Sequence, residues 1–142
     1  MTYSELIQLY FDRSTALQNY WNLYVLVVGG LLAFSSLRKQ SAAITTGLVC
    51  LLFAIFAYEN LGAMKDVTAQ RFALLESIRQ SNAPTGSATN SNSARARLEP
   101  TLTPATYSSV RVTHVTSDVL TIVALIAMEL RRRRHRDVLS AA

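Results

Sequence analysis

Residues 21–58 read WNLYVLVVGGLLAFSSLRKQSAAITTGLVCLLFAIFAY, and the only charges in them, Arg38 and Lys39, stand side by side near the middle. Before that pair, no residue between Arg13 and Arg38 is charged, and Leu23 to Phe34 is almost wholly apolar behind Tyr20, Trp21 and Tyr24. An apolar run fronted by aromatic residues has the composition of a membrane span. After the pair come nineteen uncharged residues, Gln40 to Tyr58, which at about 1.5 Å per residue cross most of a ~30 Å hydrocarbon core. Only Arg38, Lys39, Gln40 and Ser41 separate the two runs. Spans of about 21–37 and 42–59 must therefore form an antiparallel hairpin, with Ser41 the expected N-cap of the second.

Outward from the hairpin, both helices are expected to overrun the membrane. Thr2-Tyr3-Ser4-Glu5 has the pattern of a capping box, and Tyr3, Leu6, Ile7, Tyr10, Leu17, Trp21, Tyr24 and Val28 follow at steps dominated by three and four. One helix over about 3–37 is predicted. On the second helix Ala43, Gly47, Cys50, Ala54, Ala57, Leu61, Met64, Thr68, Arg71, Leu75 and Ile78 alternate steps of four and three. This is a coiled-coil type of seam, small-sided in the membrane and larger beyond it. The extensions, 3–20 and 60–80, lie on one side of the bilayer and predict a two-helix stalk about 30 Å tall. Gly29 and Ala33 add a small-xxx-small pair suited to helix packing or self-association.

Residues 81–109 hold all three prolines, Pro84, Pro100 and Pro104, amid Ser, Thr and Asn, without an Asn-x-Ser/Thr acceptor. The composition predicts a flexible linker, whose root-mean-square reach of about 28 Å would return the chain from stalk tip to bilayer. The third apolar segment is the weakest: its unbroken run is only Val119 to Met128, and a full span over 112–130 takes in His114, Thr116, Ser117 and Asp118. No basic region precedes the first apolar run, so that run is expected to remain as a span and not to be a cleaved leader.

Half of the 142 residues are hydrophobic and 16% are charged, a balance that fits neither an ordinary soluble surface nor a disordered chain. The fold class is an all-α integral membrane protein with three transmembrane helices, divided into the hairpin 1–80, the linker 81–109 and the third span with its tail, 110–142. Lys and Arg fall seven to a side across three crossings, but Arg38 and Lys39 and the cluster Arg131, Arg132, Arg133, Arg134 and Arg136 adjoin span ends. Those ends should be cytoplasmic, with the N-terminus outside, as in a plasma (inner) membrane. The net charge of +5 therefore reads as a topology signal directed at anionic lipid headgroups, and no interleaved aromatics or nucleic-acid fold accompany it.

The sharpest chemical feature is a helical stripe, Arg111, His114, Asp118, Thr121, Leu125 and Glu129. Ionisable residues inside a span are costly and are expected to face protein or water. Glu59, at the outer end of the second span, is the expected ion-pair partner of Arg111, and Glu129 is expected to pair with the arginines beside it. No HExxH, CxxC, GxSxG or Walker sequence occurs, and Gly29-Gly30 lies within a span, so no catalytic residue and no cofactor is expected. A lone Cys50 and two histidines give no expectation of a structural metal site. The functional expectation is a non-enzymatic scaffold or assembly subunit, a homo-oligomer or part of a larger membrane complex. The alternatives are a homo-oligomeric channel or membrane-perturbing effector lined by His114, Asp118 and Thr121, and a sensor that signals from stalk to tail.

Overall fold

The computed structural model describes residues 2–80, 97 and 99–140, with side chains placed through Asp137. It is all-helical: α1 (Tyr3–Leu37, 35 residues), α2 (Ala43–Gln80, 38 residues), a short 3-10 turn (Glu99–Thr101) and α3 (Tyr107–Ser140, 34 residues). Each long helix is long and apolar enough to cross a membrane. At about 1.5 Å per residue each is also longer than the ~30 Å of a bilayer core.

The start of α1 follows from the capping box. Glu5 N donates to Thr2 Oγ1 at 3.3 Å and Thr2 N donates to the Glu5 carboxylate at 2.8 Å, satisfying two amides that the first turn leaves without helical partners. The helix ends where Arg38 turns extended, with φ −69° and ψ 126°. Ser41 is not the N-cap of α2: the helix begins at Ala43, and the Ala42 carbonyl accepts the first bond, from Thr46 N at 3.0 Å.

α1 and α2 pack along their whole length, and α3 lies in their groove, mainly against α2. Three apolar clusters are stacked along the bundle: Leu6, Tyr10, Leu75, Ile78 and Leu102 at the tip; Leu17, Met64, Val67 and Val110 below; and Tyr24, Phe53 and Ala57 below that. The outer part of the expected α2 seam is therefore buried at Met64, Thr68, Leu75 and Ile78.

Within the apolar part the seam is rotated from the expected one. Of the expected seam Ala57 is buried and Cys50 half-buried, but Ala43, Gly47 and Ala54 are exposed; Thr46, Phe53 and Asn60 face inward with Ala57. Gly29 and Ala33 are exposed as well, and a Cβ added at Gly29 or Gly47 would meet nothing within 4 Å. The physical reason is the solvent. Lipid gives an apolar face no reason to leave it, whereas Thr46 and Asn60 must find hydrogen-bond partners within the protein.

Of the expected linker, residues 81–96 and 98 lie outside the described residues. Its last part is packed: Leu102 is buried among Leu6, Tyr10, Leu75 and Ile78. α3 starts at Tyr107, three residues before the expected boundary, with Ser109 N donating to Thr106 Oγ1 at 3.3 Å. The chain is thus back on the bundle at the tip, and α3 itself makes the descent that flexible reach was expected to supply.

Candidate functional site

Around α1, α2 and α3 runs a belt of outward apolar side chains, among them Leu26, Leu37, Ile44, Leu52 and Leu120. Inside the same belt, Ser35, Thr46, Asn60, His114, Thr121 and Glu129 are buried. A water-soluble domain has the opposite arrangement. The buried polar groups form two clusters, on the Asp118 and Glu129 turns of α3, eleven residues and about 16 Å of helix apart.

The first cluster is built on His114, which has 0% exposure. Its Nδ1 lies 2.9 Å from Asp118 Oδ2, one helical turn on, and its Nε2 lies 3.1 Å from Asn60 Nδ2 on α2. An amide nitrogen only donates, so with Asn60 so oriented Nε2 accepts and the ring proton sits on Nδ1, facing the carboxylate. Tyr24, on α1, completes the set by donating its hydroxyl to Asp118 Oδ1 at 2.8 Å. Its ring lies 4.2 Å from that of His114, with Trp21 at 5.8 Å on the same imidazole. One carboxylate and one imidazole thereby join all three helices.

The second cluster is built on Glu129. Its carboxylate accepts from Thr46 Oγ1 on α2 at 3.1 Å, from Arg132 at 3.3 Å and from Arg133 at 3.5 Å. Arg132 in turn donates to the Ser35 carbonyl on α1 at 2.6 Å and to Ser35 Oγ at 3.3 Å, while Arg38 reaches Thr46 Oγ1 at 3.3 Å. Again three helices meet through one acidic side chain. Thr121, between the clusters, is buried and donates to the Ser117 carbonyl of its own helix at 2.8 Å.

The chain matches no known family model, no curated protein and no solved structure.

Of the stripe read from the sequence, His114, Asp118, Thr121 and Glu129 are brought into the bundle, and Arg111 is not. Arg111 and Glu59 are both exposed, and no ion pair between them occurs among the described residues. The reason is helical phase: Asn60 is the residue that faces His114, which turns Glu59 about 100° away. The arginine cluster also divides. Arg132 is turned inward at 12% side-chain exposure, whereas Arg133 is 44% exposed and Arg131, Arg134 and Arg136 face outward. Tyr24, Ser35 and Thr46 were not anticipated as members of a polar site. Their signal was available: a hydroxyl within an apolar span must find a partner, and a Tyr at that depth is more than an interfacial anchor.

Proposed function

We propose that this chain is a non-enzymatic, three-span assembly subunit of a membrane complex, held in a plasma (inner) membrane with its N-terminus outside and its arginine tail in the cytoplasm. The observation that carries this reading is the direction of the polar groups. A pore shared between copies needs polar side chains on an outward face. Here those of His114, Asp118 and Glu129 are engaged by Asn60, Tyr24, Thr46 and the neighbouring arginines of the same chain. Between these clusters α3 turns apolar Val119, Leu120, Val123 and Ile126 outward. The buried bonds act as a lock that fixes α3 in the hairpin groove and leaves the outer faces for lipid and for neighbours.

The overrunning parts of α1 and α2 support the outward stalk. Residues 3–20 and 60–80 expose Glu5, Asp12, Lys65, Asp66, Glu76 and Arg79, a surface suited to water. Phe11 and Phe72 are the large hydrophobic residues that stay exposed there, at 48% and 41%. Exposed aromatics on a polar surface are typical anchors for a partner protein. The test is mass measurement of the full chain extracted in native lipid discs. A complex larger than one chain is expected, falling apart with Phe11→Ala/Phe72→Ala while the unfolding of the single chain is unchanged. A lone chain at native abundance would contradict the assembly reading.

A further inference from the structure

At the end of the bundle next to Arg38, the α1–α2 turn and the extension of α3 flank a half-open cavity of about 720 Å³. Lys39 from the turn and Arg131, Arg132, Arg136 and His135 from α3 line it, with Gln40 and Ser41 as neutral polar neighbours; no carboxylate is among the lining residues. We propose that this cavity binds an anion carrying two or more phosphates, held by cations from two separate parts of the chain.

The charge count sets the ligand class. Four permanently charged side chains line the cavity; Arg132 already pairs with Glu129, and Arg136 only loosely with Asp137. The charge that remains on Lys39, Arg131 and Arg136 is matched better by two linked phosphates than by one phosphate diester. Arg132 is held in place by Glu129 and by Ser35, so part of the site is preorganised. Its Nε–H is buried and meets no acceptor among the described residues. Arg136 is committed only loosely, to Asp137 at 3.8 Å, with both side chains largely exposed. An anion in the cavity relieves repulsion among the lining cations, of which only Arg132 has a close carboxylate partner among the described residues, Glu129 at 3.3 Å.

Depth argues for a lipid as the source. The last exposed apolar residues at this end, Leu37 on α1 and Leu130 on α3, stand two residues before Lys39 and directly before Arg131. The cavity thus lies at the level of headgroup phosphates, where positive residues meet the anionic leaflet. This inference rests on the membrane placement of the basic end and not on the assembly reading. What separates a built site from a general positive anchor is the division of the arginine run: Arg133 and Arg134 have the same charge and do not line the cavity.

The test uses the full chain in phosphatidylcholine discs to which cardiolipin, a lipid with two phosphates, or phosphatidylglycerol at equal total charge is added. Retained lipid is measured by native mass spectrometry. The site predicts a cardiolipin preference of about 10-fold or more. Lys39→Gln/Arg136→Gln, both exposed positions, should weaken cardiolipin binding by about 30-fold, from roughly fivefold per basic residue, and remove the preference. Arg133→Gln/Arg134→Gln, with the same change in net charge, should lower both lipids alike and keep it. Pyrophosphate and inorganic phosphate are titrated in lipid discs lacking anionic lipid. Pyrophosphate binding with the same variant dependence supports the site and assigns it to a soluble ligand. No preference in the wild type together with no variant-dependent pyrophosphate binding overturns the proposal, as does equal loss in the two double variants.

Discussion

The Tyr24 to Asp118 hydrogen bond allows the lock to be measured without the uncertainty of charge burial. Asp118→Ala removes the acceptor of two donors, the Tyr24 hydroxyl at 2.8 Å and the His114 ring at 2.9 Å. Tyr24 is only 3% exposed and His114 is 0% exposed, so neither gains a bond to water in exchange. Leaving each buried donor unmet costs about 1–3 kcal/mol. Against this, the substitution relieves the desolvation of a carboxylate, an opposing contribution of up to several kcal/mol. The single variant alone is therefore a poor test. A double-mutant cycle with Tyr24→Phe cancels the desolvation contribution, because it is common to both Asp118→Ala species. Tyr24→Phe in the wild type should lose the bond, about 0.6–1.7 kcal/mol on the scale of buried bonds between membrane helices. In the Asp118→Ala background it should cost nothing or be slightly stabilising, since it removes an orphan hydroxyl. A coupling of about 0.6–2 kcal/mol is expected from reversible unfolding in mixed detergent micelles. A coupling below about 0.3 kcal/mol, within the usual error of additivity, would refute the claim that Asp118 locks α1 to α3.

Four further outcomes follow from the same packing. Arg132→Ala removes a 2.6 Å bond to the Ser35 carbonyl and a bond to Glu129, and should destabilise the bundle by about 1–3 kcal/mol, whereas the outward Arg134→Ala should stay within about 0.5 kcal/mol; detergent unfolding compares them. Glu59→Gln and Arg111→Gln should each be near neutral and uncoupled in a cycle, because no ion pair joins these exposed residues. Gly47→Ala should raise the stability of the isolated chain by about 0.4–1 kcal/mol, since the added methyl meets nothing within 4 Å and the unfolded chain loses freedom. Leu102→Ala should cost about 2–4 kcal/mol and speed proteolysis near the bundle tip, where Leu102 fills the cluster of Leu6, Tyr10, Leu75 and Ile78.

The fold was legible because its signals are long and one-dimensional. Two uncharged runs around Arg38 and Lys39 define a hairpin whatever the details of packing, and the Thr2 to Glu5 capping box fixes where α1 starts. The stripe on the third helix was legible for the same reason: the period of a helix puts His114, Asp118 and Glu129 on one face, and lipid forces such a face inward. Partner choice was less accessible. Small residues at Ala43, Gly47 and Ala54 form as regular a series as Thr46, Phe53 and Asn60, and regularity alone does not rank them. Only the demand of buried donors and acceptors does, which requires knowing what stands opposite. The same ambiguity of about 100° separated Glu59 from Asn60. Leu102 was hidden by its neighbours, since one apolar residue in a Pro, Ser and Thr-rich stretch carries no periodic signal.

Ion flux through the reconstituted full chain tests most directly whether the polar face of α3 is a lock or a conduit. Liposomes holding the protein, with a potassium gradient and a fluorescent reporter, are followed from pH 5 to pH 8. If His114, Asp118 and Glu129 are used within the bundle, flux stays at the level of protein-free liposomes at every pH, and Asp118→Asn changes nothing. Flux above that level that disappears with Asp118→Asn would contradict the account.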